Sequence, residues 1–455
     1  MFENRPLLGR SSALLLALLV AAAAVAVLAG SGSTPRAAVA RGLTPDTLRA
    51  PNIRRQITRA AHPSATVVFT CQLPGADPVC YGPDQMRTAY GTQLLADKGY
   101  NGAGRTIVIV DAYGNPTLTS DVALFNSTWG LPATNLTTYT PFGIDPTTPA
   151  NAEGWSGETT LDVEWAHSIA LGAKIALVIA KSNNDADILD ATQYAIDHNL
   201  GDTVSQSFGE AEQCMSAADL ARQHKLFRQA VSKGMTLFAS SGDQGAGQPN
   251  CNGPGYFKAA STPASDPNVT GVGGTELHAD GPTGTYQSET TWNESATFGD
   301  AVAGGGGQSV LFGRPFYQAL ATHDRTRDVP DVSYNAAVFH GVIVAWEGDF
   351  WLFGGTSAGS PQWAGIQAIV DQIAGHRMGN INPALYALAL LPGSAKPFHD
   401  IADGSNNSVP NGLGGTITGF TAVKGYDMAT GLGSPNINAL APLIAKLPAT
   451  TTPTD

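Results

Sequence analysis

Short apolar runs alternate with helix-patterned stretches between residues 105 and 240, and this alternation constrains the fold more than any other feature. The short apolar runs cover residues 105–111, 174–180, 203–208 and 235–240. The helical stretches between them cover residues 158–171, 185–198 and 216–232. Strands of this kind, joined through helices, form a parallel sheet that is covered on both faces. We therefore predict an α/β fold whose functional side chains lie at the carboxyl ends of the strands.

The N-terminus has the composition of an export signal. Arginines flank the start of the chain, the run from Ala13 to Ala29 is apolar and uncharged, and small residues follow it. This arrangement is typical of a secretory signal, although a run of this length also permits a retained signal anchor. We predict a signal peptide over residues 1–30 and a secreted, extracellular protein, since no later segment is apolar enough to cross a bilayer.

Composition divides the rest of the chain into three parts. Residues 31–64 are rich in Ser, Thr, Pro, Ala and Arg and are interpreted as a linker or a short pro-segment. Residues 65–448 show no internal repeat and are predicted to form one globular domain, and residues 449–455 form a polar tail. The net charge of −12, without any basic run, argues against a nucleic-acid partner. We expect a monomer.

Four cysteines in an exported chain predict two disulfides. Three pairings are possible, and we favour the local one, Cys71 with Cys80 and Cys214 with Cys251. The chain contains no C-x-x-C and no H-E-x-x-H string, so neither of the common zinc motifs is present.

The string GGTSAGSP over residues 354–361 places Ser357 between glycines, just ahead of an apolar helical stretch. A loop that ends in a helix cap has the same residue types. A nucleophile is the alternative, because G-x-S-x-G also marks the elbow of α/β-hydrolases. An esterase of that class needs a downstream acid and a downstream histidine, for which Asp371 with His376 or His399 are the candidates.

The longer string G-T-S-x-x-x-P-x-x-A-G resembles the serine region of subtilisin-like proteases. There the serine starts a buried helix, and Pro361 is tolerated in the first turn. The backbone N–H of the serine then faces an oxyanion at the positive end of that helix. The run that ends at Asp111 also imitates the aspartate strand of subtilisins. A catalytic histidine is missing, because His167 has the context of an ordinary helix residue.

Glu158 and Asp162 stand four residues apart in the string GETTLDVEWA and therefore share one face of a helix. If both were simply solvated, their repulsion would cost the helix ~0.2–0.5 kcal/mol. The spacing is explained if the two carboxyls share a proton and one of them acts as a base. An ordinary solvated acidic face is the alternative. Glu164 points elsewhere on the helix.

A further acid, Asp243, follows an apolar run within the string SSGDQGA, which is typical of either a simple turn or a catalytic edge. Together with Ser357, Glu158 and Asp162, it makes the chain resemble the sedolisin family, the serine-carboxyl peptidases with a subtilisin-like fold. The resemblance covers residues 80–446. It is carried by six strings in the family's order: GETTLDVE, SQSFG, SSGDQGA, VGGT, VPDVS and GGTSAGSP.

The resemblance implies a role for each of the four residues. Ser357 attacks the peptide carbonyl and Glu158 takes its proton, standing where subtilisins hold histidine. Asp162 orients Glu158 and couples to it, and Asp243 supports the oxyanion. The resemblance also implies a subtilisin-like three-layer fold, with a central, mostly parallel sheet and helices on both faces.

Sedolisins hold one calcium ion with two aspartates and backbone carbonyls near the C-terminus. The matching segments here are FHDIADGSN at residues 398–406 and VKGYDMATG at residues 423–431. Such an all-oxygen set is what Ca²⁺ prefers. The implied ligands are the carboxylates of Asp400 and Asp427 and the carbonyls of Ile401, Val423 and Gly425. Asp403 lies nearby but outside the motif.

The sequence is therefore interpreted as a secreted serine-carboxyl endopeptidase that hydrolyses proteins or peptides at acidic pH. Two alternatives stay open, a catalytically inactive secreted binding protein on the same scaffold and the G-x-S-x-G esterase. Sedolisins usually carry a large N-terminal pro-domain. Because residues 31–64 are too few to form such a domain, we expect maturation to differ from the family's usual route.

Overall fold

The structure is a computed structural model that describes residues 44–45, 48–49, 57–61, 67–147, 149–391, 396–406 and 409–455. The predicted signal peptide over residues 1–30 lies outside the described residues, as does most of the predicted pro-segment over residues 31–64. In the part of the chain that is described, no helix has both the length and the apolar character needed to span a bilayer.

The strands of the central sheet and the α-helices are numbered separately, each in chain order. The strands are Thr106–Ala112 (β1), Asn135–Tyr139 (β2), Lys174–Ala180 (β3), Thr203–Gln206 (β4), Thr236–Ser240 (β5), Val269–Ala279 (β6), Tyr286–Thr291 (β7) and Val332–Asn335 (β8). The α-helices are Pro83–Tyr90 (α1), Gln93–Ala96 (α2), Leu118–Trp129 (α3), Pro149–Ile169 (α4), Asp185–Asp197 (α5), Ala217–Ser232 (α6), Ser295–Phe298 (α7), Gly359–Ala374 (α8), Asn382–Ala389 (α9) and Ile437–Ile444 (α10).

Smaller sheets and 3₁₀ turns surround the central sheet. The 3₁₀ turns are Thr70–Gln72, Phe316–Gln318 and Thr356–Ala358. The remaining short strands are Thr44–Pro45, Leu48–Arg49, Phe208–Ala211, Gly247–Pro249, Tyr256–Lys258, Ser261–Thr262, Gly307–Gly313, Thr326–Val329, Val342–Trp346, Asp349–Gly354, Phe398–His399, Val409–Pro410, Thr416–Ile417 and Ser434–Pro435.

The central sheet has the strand order β7-β6-β5-β4-β1-β3-β2, and β8 pairs with β6 as well. Every pair in it is parallel except β6 with β7. The predicted mostly parallel sheet is therefore confirmed. The predicted apolar run at residues 203–208 differs in one respect, because β4 ends at Gln206. A second strand, Phe208–Ala211, then leaves the central sheet and pairs with short strands.

Both faces of the sheet are buried at its centre, which explains why β1 and β3 are almost continuously apolar rather than alternating. In β1, Ile107 and Ile109 belong to a core that includes residues of α4 and α8. Val108 and Val110 belong to a second core that includes residues of α5 and α6. Because successive residues of a strand point to opposite faces, these two cores are the layers above and below the sheet. The three-layer architecture follows.

Two of the predicted helices match the structure and one starts earlier. The predicted stretches 185–198 and 216–232 become α5 and α6. The stretch predicted over residues 158–171 becomes α4, which already begins at Pro149. Proline is compatible with the first turn of a helix, where its missing N–H has no intrahelical acceptor. The earlier start gives α4 two more turns ahead of Glu158.

Covalent and hydrogen-bonded ties hold the periphery of the domain. Both predicted disulfides, Cys71–Cys80 and Cys214–Cys251, are present. The C-terminal residues predicted as a polar tail are docked: the Thr450 N–H donates to the carbonyl of Met378 at 2.8 Å. The Thr454 N–H donates to Asn268 Oδ1, also at 2.8 Å. Residues 449–455 are therefore part of the packed domain.

Candidate active site

Three polar residues lie side by side at the carboxyl edge of the central sheet. Asp111 lies near the end of β1, Ser207 directly follows β4, and Asp243 follows β5. These strands are neighbours in the order β5-β4-β1 and all run parallel, so their carboxyl ends meet. All three side chains are buried, at 0% exposure for Asp111 and Ser207 and 1% for Asp243.

Ser357 lies in the 3₁₀ turn Thr356–Ala358, which runs directly into α8. Gly355 precedes the turn with φ +102°, a conformation that favours glycine. The Ser357 hydroxyl is 0% exposed and donates to the backbone carbonyl of Ser207 at 3.3 Å. It does not cap α8, whose first turn has no side-chain cap. The interpretation of this serine as a simple helix cap is therefore wrong.

Asp243 is bound to the residue before the serine. Its Oδ1 accepts the Thr356 N–H at 2.7 Å and the Thr356 hydroxyl at 2.9 Å. The carbonyl of Asp243 accepts the Ala303 N–H at 2.9 Å, which fixes the backbone of this loop. The structure thus brings the carboxyl of Asp243 to the start of the turn that carries Ser357.

Glu158 and Asp162 lie on one face of α4 and are both 0% exposed. The alternative of a solvated acidic face is therefore wrong. Burial and the negative charge of Asp111 raise the pKa of Asp162 well above its usual value, and the Ser207 hydroxyl partly opposes this shift. An isolated carboxylate is costly in such surroundings, so the acids of this region favour shared protons.

Asp111 was noted in the sequence as part of an aspartate strand but was not predicted as a site residue. Burial raises the pKa of Asp111 to about 7, against a smaller opposite effect of the Thr159 hydroxyl. Its charge also acts on Asp162. The sequence feature that could have identified Asp111 as a site residue is its position at the end of a strand rich in Val and Ile. Asp111 and Asp162 therefore form a coupled acid pair.

The helix that carries the acids packs directly against the turn that carries the serine. At Gly157, beside Glu158, an added Cβ would lie 3.3 Å from the ring of Phe353, which precedes the serine turn by only a few residues. The carbonyl of Ser207 accepts the hydroxyl of Ser357, and the Ser207 hydroxyl partly opposes the rise in the pKa of Asp162. Ser207 thus lies close to both Asp162 and Ser357.

Two other titratable side chains of α4 make their hydrogen bonds away from the serine turn. Glu164 is buried, but its Oε2 accepts the Ala345 N–H at 3.0 Å, away from the serine turn. His167 bonds through Nε2 to the carbonyl of Pro132 at 2.9 Å. Neither contact involves the serine turn.

The residues that an esterase would need are not assembled. Asp371 lies on α8, fourteen residues after Ser357, which corresponds to about 20 Å along a helix. His376 is exposed and faces the carbonyl of Arg377. His399 stacks on Tyr286, with ring centroids 3.9 Å apart. The structure therefore disfavours the esterase alternative.

The residues implied for calcium meet around one loop. Asp400 Oδ1 accepts the Gly425 N–H at 2.9 Å, and Asp427 Oδ2 accepts the Val423 N–H at 2.8 Å. The same short loop therefore touches both carboxylates. Burial raises the pKa of Asp427, although three backbone N–H groups bind it. Among the described residues, none donates a hydrogen bond to the carbonyls of Ile401, Val423 or Gly425. Two carboxylates and three unused carbonyls fit a calcium ion.

Two short strands from the predicted pro-segment pair with strands next to the site. The backbone of Thr44–Pro45 pairs antiparallel with Phe208 and Gly209, directly after Ser207. The backbone of Leu48–Arg49 pairs antiparallel with Phe353 and Gly354, directly before the serine turn. This N-terminal segment therefore pairs with one strand that follows Ser207 and with another that precedes the serine turn.

Known proteins resemble this chain in both sequence and fold. Kumamolisin from Bacillus sp. (strain MN-32) is 32% identical over 377 residues, which cover 81% of this chain and 64% of kumamolisin. Sedolisin from Pseudomonas sp. (strain 101) is 30% identical over 368 residues, covering 78% of this chain and 60% of that protein. Xanthomonalisin from Xanthomonas sp. (strain T-22) is 30% identical over 394 residues, covering 79% and 45%. The chain thus spans about half to two thirds of the length of these relatives.

A solved structure has the same fold. Pseudomonas sedolisin, a serine-carboxyl proteinase in complex with two molecules of pseudo-iodotyrostatin, superposes with a TM-score of 0.70 at 29% identity. The match covers 80% of this chain and 97% of that one. No protein-family model matches the chain. The common fold and the sequence similarity to these three relatives show that the chain is similar to the sedolisins in both sequence and structure.

Proposed function

We propose that this chain is a secreted serine-carboxyl endopeptidase that hydrolyses peptide bonds in acid. The observation that carries the proposal is the packing of α4, which holds two buried acids, against the turn that holds Ser357. A buried carboxyl next to a serine hydroxyl can take the role that an imidazole has in other serine hydrolases. Proteins or peptides are the substrates that such a site would cleave.

In this mechanism Ser357 Oγ attacks the carbonyl carbon of the scissile bond and Glu158 accepts the hydroxyl proton. Glu158 then donates this proton to the leaving amine, and a water molecule repeats the sequence to release the acyl group. Asp162 orients Glu158. Asp162 and Asp111 together carry one negative charge and one proton. Because those two acids are coupled and buried, they favour a state that retains a proton, which prevents adjacent negative charges from accumulating.

Asp243 would stabilise the oxyanion that forms on the substrate carbonyl. Its Oδ1 is already held by the N–H and the hydroxyl of Thr356. If the carboxyl is protonated, its other oxygen can donate a hydrogen bond to the oxyanion. An ionised carboxylate there would repel the oxyanion instead. A preorganised donor of this kind contributes ~10²–10³ in rate. Activity therefore requires acid conditions.

A calcium ion held by Asp400, Asp427 and the carbonyls of Ile401, Val423 and Gly425 would stabilise the C-terminal part of the fold. When bound, the ion cross-links the segments that hold it and takes no part in the hydrolysis. Export is supported by the signal-like sequence of residues 1–30 and by the two disulfides, which persist in oxidising compartments. We retain the interpretation of residues 31–64 as a linker or a short pro-segment, and the pairing of residues 44–45 and 48–49 beside the serine turn supports the pro-segment.

The pH dependence of kcat/KM tests the proposal. An uncharged peptide substrate is used from about pH 2 to about pH 9, with circular dichroism to verify the fold at each pH. We expect a bell-shaped profile in the acid range, with limbs that belong to the coupled carboxyls. A maximum at about pH 7–8 would indicate a histidine-dependent hydrolase and contradict the proposal.

A serine-directed covalent probe separates the enzyme from an inactive binding protein. We expect the folded protein to be labelled at Ser357, and the label to be located by mass spectrometry of the digested adduct. The matched control is Ser360→Ala, which removes a neighbouring buried serine whose hydroxyl lies 2.9 Å from that of Ser205. A correctly folded protein that is not labelled under acidic conditions would favour the binding protein.

A further inference from the structure

Outside the candidate active site, Glu276, His278 and His340 bring two imidazoles and one carboxylate together. Glu276 Oε1 lies 2.7 Å from His340 Nδ1 and 3.9 Å from His278 Nε2. One donor atom from each residue can be chosen so that all three lie within 4.8 Å of one another. The two imidazole rings have centroids 5.1 Å apart and an interplanar angle of 76°. We refer to these three residues as the His-His-Glu cluster.

The local structure explains why two of these side chains meet. Glu276 and His278 lie on β6, two residues apart, so both project from the same face of the strand. Leu277 between them projects to the other face and is 0% exposed in the core. Antiparallel pairing with β7 fixes the register, with Glu276 opposite Thr290. The strand therefore presents a fixed Glu-x-His pair.

The third side chain comes from a loop that is anchored from both sides. Asn335, itself 1% exposed, donates through Nδ2 to the carbonyl of His340 at 2.7 Å. The same side chain accepts the Leu277 N–H through Oδ1 at 3.0 Å. Glu294 accepts the N–H of Phe339 at 2.8 Å. His340 is thus tied to β6 through Asn335, and its loop does not need to fold around a ligand.

We propose that the His-His-Glu cluster binds one divalent transition-metal ion of the zinc class. Two imidazole nitrogens and one carboxylate oxygen suit Zn²⁺, Co²⁺ or Ni²⁺, whereas Ca²⁺ and Mg²⁺ prefer oxygen alone. Zinc bonds to such ligands are about 2.0–2.2 Å long, so tetrahedral ligands lie about 3.3 Å apart. The distances from Glu276 Oε1 to the two imidazole nitrogens, 2.7 Å and 3.9 Å, lie below and above that value. Small rotations of the three side chains would bring their donor atoms to about this separation.

The surroundings leave the cluster accessible to an ion. The side chains of Glu276, His278 and His340 are 26%, 36% and 20% exposed, so water can fill the fourth position. The metal would take the place of the proton between Glu276 and His340, and that proton would move to Nε2 of His340 as the neutral ring changes tautomer. No redox step is involved.

A bound ion would tie β6 to the loop that leads from β8 to the strand Val342–Trp346. That loop begins at Ala336, whose carbonyl accepts the Gly355 N–H at 2.7 Å. Gly355 directly precedes the serine turn. The cluster therefore provides a cross-link near the base of the turn without contributing a group to the chemistry, and it is independent of the proposed function.

Zinc binding by the full chain tests the proposal. The protein is kept in excess Ca²⁺, so that the proposed calcium site is saturated, and dialysed against micromolar Zn²⁺ near neutral pH, where imidazoles are unprotonated. Bound zinc is counted by elemental analysis, and Co²⁺ serves as a spectroscopic probe of tetrahedral coordination. We expect one equivalent of zinc. The variants His278→Asn, His340→Asn and Glu276→Gln should each weaken binding ~10-fold or more.

The matched control is His323→Asn, which removes an exposed histidine outside the cluster. It should retain one equivalent of zinc and the Co²⁺ spectrum. Melting curves without zinc verify that each variant is folded, and His278→Asn serves if His340→Asn fails to fold. The proposal is overturned if the wild-type protein retains no zinc at micromolar concentration. It is equally overturned if folded His278→Asn binds zinc as tightly as the control does.

Discussion

Two buried regions of this molecule hold carboxylates in opposite ways. Asp331 and Arg327 are both 0% exposed and form an ion pair through both carboxylate oxygens. Asp331 also accepts the Gly271 N–H at 2.8 Å and the Tyr386 hydroxyl at 2.9 Å. By contrast, no described residue donates a hydrogen bond of regular geometry to the buried carboxyls of Asp111 and Asp162.

The difference separates a structural role from a chemical one. A buried carboxylate that is neutralised by an arginine and saturated with hydrogen bonds supports the fold and has no proton to exchange. A buried acid pair without such partners retains a proton near neutral pH, which is the property that acid–base catalysis uses. The comparison predicts that changes in the Arg327–Asp331 region alter stability, whereas changes beside Ser357 alter turnover.

The largest expected effect is the loss of turnover on changing the serine or its base. Ser357→Ala and Glu158→Gln should each lower kcat by about 10⁴-fold or more, because the nucleophile and its base act as a unit. Asp162→Asn should cost less, since an orienting group contributes less than the base it serves. Single-turnover kinetics at acidic pH, with melting curves to verify the fold, measure this.

The control for Glu158→Gln is Glu164→Gln on the same helix. Glu164 is also 0% exposed, but it binds the Ala345 N–H rather than facing the serine turn. This variant should retain turnover within a few-fold. If Glu164→Gln loses as much activity as Glu158→Gln, the assignment of the base is wrong.

The next effect is a loss of stability in the ion-paired region. Arg327→Met leaves the buried carboxylate of Asp331 without its counter-charge and should lower the free energy of unfolding by about 3–5 kcal/mol. Asp162→Asn should leave this free energy unchanged or raise it, because it removes a buried acid that has no regular partner. Urea denaturation at acidic pH measures both. Equal destabilisation by the two variants would contradict the comparison.

A smaller effect concerns stability as a function of pH. The pKa of Asp111 in the folded protein is about 7, above its ordinary value. Between about pH 4 and pH 7 the folded state therefore binds more protons than the unfolded state, and stability falls as pH rises. Asp111→Asn should flatten this decline, whose size is on the order of a few kcal/mol. Urea denaturation at several pH values measures it. An unchanged slope would show that Asp111 does not carry the proton.

The smallest effect is expected from removal of calcium. A ligand that binds only the folded state at a hundredfold excess over Kd stabilises it by about 2.7 kcal/mol. Chelation should therefore lower Tm, and Asp427→Ala should reproduce this loss and abolish the response to chelator. Asp403→Ala, an exposed neighbour outside the motif, is the control. Unchanged melting in chelator and no metal in elemental analysis would contradict the site.

Residue type and spacing over a few positions predicted those features of the structure that depend on neighbouring residues in the sequence. Apolar runs predicted β1, β3 and β5, because both faces of these strands are buried. Placement at strand ends singled out Asp243, and the four-residue spacing placed Glu158 and Asp162 on one helical face. In each case neighbours in the sequence are also neighbours in space.

Features that depend on distant contacts were not predicted. The backbone carbonyl of Ser207 accepts the hydroxyl of Ser357, and no sequence pattern marks a backbone carbonyl as functional. His340 reaches Glu276 only because Asn335 ties its loop to β6. The docking of residues 449–455 likewise depends on Met378 and Asn268, which are far from them in the sequence. A polar composition alone is typical of a free tail.

The pairing of residues 44–45 and 48–49 beside the serine turn has a kinetic consequence. These residues use the backbone edges of the strands Phe208–Ala211 and Asp349–Gly354, and they would compete with any extended peptide that pairs with the same edges. A segment tethered to the same chain competes with an effective concentration in the millimolar range. Its inhibition would be independent of protein concentration, so dilution would not relieve it. Cleavage of the tether, however, would convert it into an ordinary ligand that diffuses away.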